Sequence, residues 1–159
     1  MPKHLSPTEL AAIAENFRGS GRRLVFTNGC FDLLHVGHLR YLQAARALGD
    51  ALLVAVNGDA SVRALKGPTR PINSEDDRAE VLAALACVDY VTTFHTERVT
   101  DLVRAIRPQV YAKGGDYTLD SLNPEERAAL EEVGAEIRLL PLVPGKSTTA
   151  TLGRMRAEG

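Results

Sequence analysis

The sequence predicts an α/β fold, namely a Rossmann-like, doubly wound parallel sheet of five strands in a single domain. Five short apolar runs recur along the chain, at residues 24–27, 52–56, 90–93, 109–112 and 136–140. Stretches of helical period separate these runs, and strands that alternate with helices form parallel sheets with right-handed crossovers. The runs 24–27 and 52–56 are almost continuously apolar, as expected for central strands covered on both faces. Ligands of such sheets bind beyond the carboxyl ends of the strands.

Helix boundaries follow from capping residues. Ser6 and Asn123 each precede a proline at the first helical position and a glutamate at the third, a pattern typical of helix starts. Ser74 predicts another start. Thr96 is the predicted N-cap of a helix that ends at Arg107, because the next residue is a proline. The expected order is one helix followed by five βα units.

Composition excludes several classes of protein. The chain has 159 residues, of which 45% are apolar and 25% charged, and its formal charge is −1. A core of ordinary size is therefore expected, and broad, non-specific binding to nucleic acid is not. No apolar run reaches the length of a transmembrane helix and no secretory signal is visible, so we expect a cytoplasmic protein that binds neither nucleic acid nor membrane. Cys30 and Cys87 lack metal-ligand spacing and are interpreted as reduced thiols.

Residues 27–39 carry the strongest functional signal. They follow the first predicted strand and open a helix, where free backbone N–H groups and the helix dipole attract phosphate. His35 and His38 project from this turn, and Gly29 and Gly37 allow a ligand to approach the backbone closely. Two histidines could equally be surface residues, and a zinc site lacks a third ligand nearby. Their position after a strand and beside glycine favours phosphate binding.

The segments Asn28–Asp32 and His35–His38 resemble the signature of the HxGH nucleotidyltransferases, in their cytidylyltransferase-like branch. Residues 56–59, 65–71, 113–117 and 147–149 are similar to the adenylyltransferases that join ATP and D-glycero-D-manno-heptose 1-phosphate to give ADP-heptose and pyrophosphate. The resemblance runs from residue 23 to 159, and residues 1–22 are expected to form an N-terminal helix and approach segment. It implies the form without a fused sugar kinase, and therefore a separate kinase upstream.

The resemblance implies roles for individual residues. The catalytic residues would be His35, His38 and Lys66. The nucleotide would be bound by Asn28, Gly29, Phe31, Gly37, Arg78, Lys113, Gly114, Ser147, Thr148 and Thr149. The sugar phosphate would be bound by Asp32, Asn57, Asp59, Arg70 and Asp116. Mg²⁺ would arrive with ATP, and no residue is assigned as a metal ligand.

Most of these assignments have a simpler alternative. Lys66 and Arg70, in the loop expected after the second strand, could neutralise a triphosphate or belong to a solvated basic loop. Arg78 could lie near the phosphates or on a helix surface. The Lys113–Asp116 segment could contact a ligand through its backbone or form a plain turn. Asp32, like the aspartate of that turn, could hold a sugar hydroxyl or Mg²⁺ through water, or stabilise local structure.

Residues 145–149 invite comparison with a Walker A motif, but the spacing fails because position 140 is leucine. The resemblance instead implies that Ser147, Thr148 and Thr149 open the last helix and donate hydrogen bonds to the β- and γ-phosphates. A simple N-cap is the alternative. Relatives that use CTP carry Arg-Thr-x-Gly-Ile-Ser-Thr-Thr here, and this chain lacks that arginine and isoleucine.

The residues leave two other functions open. One is a cytidylyltransferase that acts on glycerol 3-phosphate or another small phosphorylated acceptor. The other is a non-catalytic nucleotide-binding module, although such a module would not need both histidines together with Lys66. Leu82, Leu85 and Val88 could pack internally or across a dimer, and the resemblance implies a homo-oligomer.

Overall fold

A computed structural model describes residues 3–96, 98–115, 118–141 and 148–158, with the side chains of 148–151 and 158 excepted. Five strands form one sheet: β1 (Leu24–Gly29), β2 (Ala51–Asn57), β3 (Tyr90–Phe94), β4 (Val110–Gly114) and β5 (Glu136–Leu140). All neighbouring strands run parallel, in the order β3-β2-β1-β4-β5. The predicted fold class is therefore confirmed.

Helices connect the strands. They are α1 (Pro7–Gly19), α2 (Val36–Arg46), α3 (Asp59–Lys66), α4 (Glu75–Ala83), α5 (Thr100–Ile106), α6 (Pro124–Glu132) and α7 (Thr148–Glu158), with a 3₁₀ turn at Leu119–Ser121. Three predicted starts are confirmed, because the side chains of Ser6, Ser74 and Asn123 each accept a backbone N–H at the head of α1, α4 and α6. Ser6 also completes a reciprocal pair with Glu9.

Two predictions of local structure are wrong. The N-cap of α5 is Val99 rather than Thr96, whose hydroxyl donates to the Arg98 carbonyl instead. Lys66 does not lie in a loop after the second strand but ends α3, a helix that the apolar pattern did not reveal because only Ser61 and Val62 are buried on it. Gly67 ends α3 with a φ of 104°, a value that glycine adopts without strain.

Two apolar layers cover the two faces of the sheet. Alternate residues of β1 divide between them: Val25 packs with α2 and α4, and Phe26 packs with α1, α5 and α6. The N-terminal residues belong to the same fold, since Leu10, Ala14 and Phe17 of α1 enter the second layer. Among the residues that the structure describes, no helix is long and apolar enough to span a membrane.

The sheet order fixes where a ligand would bind. From β1 the chain crosses to β2 on one side, and later returns to β4 on the other side of β1. This reversal opens a crevice at the carboxyl ends of β1 and β4, and open α/β sheets bind ligands there. Residues 28–38 follow β1 directly, so the sequence segment with the strongest functional signal lies at this switch point.

Candidate active site

The His35 and His38 rings form the centre of the candidate site. His35 is the N-cap of α2, and its Nδ1 accepts the backbone N–H of Gly37 at 3.0 Å. His38 Nδ1 accepts the backbone N–H of His35 at 3.3 Å, so the two imidazoles take the part that serine and glutamate play in an ordinary capping box. The ring centroids lie 4.0 Å apart.

These contacts determine what the imidazoles can do. A neutral ring whose Nδ1 accepts a hydrogen bond carries its proton on Nε2, so each histidine can donate from Nε2. Burial, and secondly the charge of neighbouring His35, lower the pKa of His38 to about 4. His38 is therefore a neutral hydrogen-bond donor at pH 7 rather than a cation. The Phe31 and His38 rings pack edge to face, with ring centroids 5.7 Å apart.

The end of β1 is shaped by close packing. A Cβ atom on Gly29 would lie 2.9 Å from the Phe31 ring, so only glycine fits while that ring keeps its place. Phe31 itself has a φ of 48°, an unusual conformation for a bulky residue and one often found at functional sites. The Asn28 side chain accepts the Tyr111 hydroxyl at 2.6 Å, so its amide oxygen is held by β4.

Cations surround the same strand end. Burial raises the pKa of the Cys30 thiol, while the charges of Lys66, Arg78 and Arg70 act on it in the opposite direction. All three cations therefore lie near Cys30, immediately after β1. Lys66 is exposed at the end of α3, whereas Arg70 and Arg78 are held by other residues. The roles that the sequence analysis gave to Lys66, Arg70 and Arg78 at the phosphates stay predictions.

Arg78 is 2% exposed and makes four hydrogen bonds within the protein. Its guanidinium donates to the carbonyls of Asn73, Cys30 and Asn57 and to the Asp59 carboxylate, at distances from 2.7 to 3.0 Å. It therefore ties the ends of β1 and β2 to the start of α4. This geometry supports a positioning role for Arg78, and direct contact with phosphate stays a prediction.

Asp32 organises the loop between α3 and α4. Its wholly buried carboxylate accepts Arg70 Nε and the backbone N–H groups of Ile72 and Asn73, at 2.7 to 2.9 Å. Burial alone would raise the pKa of Asp32, but these hydrogen bonds hold it below its ordinary value. Asp32 is thus an anionic anchor that orients Arg70. Contact of Asp32 with the sugar or Mg²⁺ stays a prediction.

Two polar residues, Asn57 and Asp59, lie where β2 ends and α3 begins. Asn57 is 4% exposed, and its amide donates to the Ser61 hydroxyl at 2.9 Å. Asp59 begins α3, pairs with Arg78 and keeps part of its carboxylate accessible. Both residues were predicted to bind the sugar phosphate, and the Asp59 side chain is the more exposed of the two.

Lys113 and Gly114 are the last two residues of β4, which contacts α2 there. Lys113 Nζ lies 3.9 Å from a carboxylate oxygen of the largely buried Glu126. A Cβ atom on Gly114 would meet the Tyr41 ring at 2.9 Å, so the close approach of α2 to β4 requires glycine there. Asp116 and Ser147 lie outside the described residues, and the same holds for the side chains of Thr148 and Thr149, whose backbone begins α7.

Two cavities border the segment that follows β1, and one of them is lined by the histidine pair. One of 340 Å³ is bordered by His35, His38 and four aliphatic residues, Leu34, Val36, Leu39 and Leu85. A larger one of 580 Å³ lies between residues 31–34 and the face of α4 that carries Arg78. Both have the size of small-molecule sites. The described part of the chain brings together no group of three or more histidine, cysteine or carboxylate side chains that could hold a metal ion.

Sequence reasoning missed two residues that hold the site. Tyr41 and Tyr111 both direct their hydroxyl groups to the ends of β1 and β4, where they bond to Thr27, Ala112 and Asn28. Tyr41 follows His38 by one helical turn, and that spacing is a signal in the sequence that could have linked the two. Tyr111 lies within the apolar strand β4, so the sequence pattern predicts only that it is a core residue.

The fold and these contacts define a Rossmann-like α/β protein with paired histidines and clustered cations at its switch point. The model of the cytidylyltransferase-like family matches residues 26–154, and the chain belongs to that family.

Individual relatives agree with this assignment. The bifunctional protein HldE of Trichlorobacter lovleyi is 51% identical over 140 residues, which cover 88% of this chain and 28% of that protein. The bifunctional protein HldE of Wolinella succinogenes is 47% identical over 96% of this chain and 31% of its own length. The chain therefore spans less than a third of these curated relatives. A lipopolysaccharide core biosynthesis protein from Thermoplasma volcanium has a similar structure, with a TM-score of 0.64, 27% identity, and coverage of 77% of this chain and 98% of its own.

Proposed function

We propose that this protein is an adenylyltransferase that joins ATP and D-glycero-D-manno-heptose 1-phosphate, releasing pyrophosphate and ADP-heptose. The observation that carries the proposal is the pair of imidazoles, 4.0 Å apart, at the N-terminus of α2 and at the switch point of the sheet. Membership of the cytidylyltransferase-like family supports nucleotidyl transfer. The similarity to bifunctional HldE proteins and to a lipopolysaccharide core biosynthesis protein supports a sugar phosphate as acceptor.

The proposed reaction is a single in-line displacement. A phosphate oxygen of the sugar 1-phosphate attacks the α-phosphorus of ATP, the new P–O bond forms, and the bond to the pyrophosphate oxygen breaks. Phosphate is already a competent nucleophile, so no side chain needs to form a covalent intermediate. Catalysis then consists of positioning and electrostatic stabilisation, as in other phosphoryl transfers.

The histidines supply hydrogen bonds at the reacting phosphate. With Nδ1 occupied by a backbone N–H, both rings would direct Nε2–H toward the α-phosphate and the bridging oxygen as negative charge grows there. Because the pKa of His38 is about 4, this donor keeps the same protonation state across the neutral range.

Cations would balance the charge of the leaving group. Lys66, exposed at the end of α3, would contact the pyrophosphate portion of ATP, and Arg70 would approach it from the loop that Asp32 anchors. Mg²⁺ would enter with ATP and neutralise the outer phosphates. Lys113, Gly114 and the start of α7 would close the site from the β4 side, with Ser147, Thr148 and Thr149 as hydrogen-bond donors.

The proposal extends to partners. A kinase can supply a sugar phosphate, and the name of the HldE relatives states that they have two functions, of which a segment like this chain would supply one. We propose that a separate kinase supplies the substrate here, and that the protein works as a homo-oligomer.

The decisive experiment measures pyrophosphate release over a matrix of ATP and CTP against heptose 1-phosphate, glycerol 3-phosphate and phosphoethanolamine. We expect turnover with ATP and heptose 1-phosphate, and a loss of about a hundredfold or more in the His38→Ala variant. His4→Ala, which removes an exposed histidine near β3, is the matched control and should keep full activity. Turnover only with CTP would indicate a cytidylyltransferase, and ATP binding without turnover would indicate a non-catalytic module.

A further inference from the structure

Tyr41 connects α2, the helix that carries His38, to β1 and β4, the two strands at the switch point. Its hydroxyl donates to the Ala112 carbonyl in β4 at 2.9 Å, and therefore accepts the Thr27 hydroxyl of β1 with its oxygen. Tyrosine has a single hydroxyl proton, so the direction of the second hydrogen bond follows from the first. One phenol group thus links α2, β1 and β4.

The Tyr41 side chain is partly buried against the core layer that contains α2 and α4. Burial raises the pKa of Tyr41 to about 12, although hydrogen bonds with Thr27 and the Gly114 backbone act in the opposite direction. Tyr41 is therefore a neutral phenol at pH 7, the form in which its hydroxyl can donate to the Ala112 carbonyl and accept from Thr27. A buried polar group with complete hydrogen bonding holds the surrounding elements in one arrangement.

The ring also fits against β4. A Cβ atom on Gly114 would lie 2.9 Å from Tyr41 Cε2 and 3.0 Å from Cδ2, so the ring occupies the space that a side chain would need. The residue that lies one helical turn before Tyr41 is His38, and the residue that follows Thr27 is Asn28. Tyr41 therefore lies close to His38, Asn28 and Gly114, although it is not itself one of the predicted site residues.

We propose that Tyr41 is a positioning residue that fixes the His35–His38 pair relative to Lys113 and Gly114 at the end of β4. The inference rests on the proposed function, because it assumes that the histidines and β4 act on one bound nucleotide. Misplacing a catalytic group by about 1 Å can cost on the order of a hundredfold in rate.

The test compares Tyr41→Phe with Thr27→Val, since each removes one hydroxyl group and keeps the volume of the side chain. We expect both variants to lower kcat by about tenfold to a hundredfold while the KM for ATP changes less than about threefold. The control is Tyr90→Phe in β3, whose hydroxyl makes no hydrogen bond to any described residue, and it should keep full kcat. Thr27→Val keeps the test informative if Tyr41→Phe fails to fold.

A double-mutant cycle distinguishes positioning from general stability. If Tyr41 acts through the histidines, Tyr41→Phe should change kcat by less than about twofold in the His38→Ala background. The same fold-loss in both backgrounds, or an unchanged kcat in Tyr41→Phe and Thr27→Val, would overturn the proposal.

A readout without turnover separates this inference from the proposed function. Titration of the histidine ring signals by NMR should show the pKa of His38 rising from about 4 toward 6.5 in Tyr41→Phe, because a less firmly held helix exposes the ring. Tyr90→Phe should match the wild-type titration. An unchanged His38 titration in Tyr41→Phe contradicts the positioning role whether or not the protein proves to be an adenylyltransferase.

Discussion

Asp59 and Arg78 form an ion pair, 2.8 Å from Oδ1 to Nη2, in which the Arg78 side chain is wholly buried and the Asp59 carboxylate reaches solvent. Arg78 uses its other donors on three backbone carbonyls at the ends of β1, β2 and the α3–α4 loop. The guanidinium thus joins the loops around the candidate site, and the exposed side of the pair faces outward through Asp59.

Arg78→Lys should destabilise the fold although the charge is kept. A lysine cannot reproduce the planar fork, so the Cys30 and Asn57 carbonyls lose their donors, at a cost of about 2–4 kcal/mol in the free energy of unfolding. Urea unfolding measures this. Arg40→Lys, at an exposed position of α2, is the control and should change the free energy by less than about 0.5 kcal/mol. Equal stability of the two variants would contradict the positioning role.

Asp32→Asn should release the loop that carries Arg70. The change leaves the largely buried Arg70 guanidinium without its counterion, and an amide cannot accept all three hydrogen bonds. We expect a loss of about 3–5 kcal/mol in the free energy of unfolding, together with weaker binding of ATP. Chemical denaturation and calorimetric titration measure the two effects.

The control for this change is Asp101→Asn. Its carboxylate is 88% exposed, and its ion pair with Arg104 spans 3.8 Å. We expect a change of less than about 1 kcal/mol, typical of a surface pair. If Asp32→Asn were equally mild, the view of Asp32 as the anchor of the loop would be untenable.

Gly114→Ala should disturb the contact between β4 and α2. Its Cβ would lie 2.9 Å from the Tyr41 ring, so the ring must move, at a cost of about 1–3 kcal/mol and with a loss of turnover. Gly19→Ala at the end of α1 is the matched control, since nothing lies within 4 Å of its added Cβ. Thermal unfolding and pyrophosphate release compare the two, and retention of full activity in Gly114→Ala would argue against close packing here.

His38→Asn should reduce the sensitivity of the protein to acid. The pKa of His38 is about 4 in the native state against 6.5 for an ordinary histidine, so between these pH values the unfolded chain binds a proton that the native ring does not bind. Native stability is therefore lost as the pH falls from 6.5 toward 4. For this partly exposed ring we expect the wild type to lose about 1–2 kcal/mol more than the variant over that interval. Parallel curves of unfolding free energy against pH would contradict the low pKa.

The sequence by itself determined the strands, the starts of α1, α4 and α6, and the segment that carries the strongest functional signal. Apolar runs fix strands through burial on both faces, and Ser6, Ser74 and Asn123 fix helix starts through local hydrogen bonds that need no distant partner. Residues 28–38 are informative for the same reason, because a histidine pair with glycine at a strand–helix junction is itself a local arrangement.

Only the tertiary structure decided which hydrogen-bond partners the polar residues around the candidate site have. The sequence cannot indicate that Arg78 meets Cys30, 48 positions away, or that Asp32 holds a loop 40 positions further along. Nor does it indicate that Tyr41 bonds to Ala112, 71 positions away. Such contacts depend on strand order and on how closely α2 and α4 approach the sheet. These distances are set by packing of the whole core. A charged residue that the sequence suggests for ligand binding can therefore be found in hydrogen bonds and ion pairs within the protein.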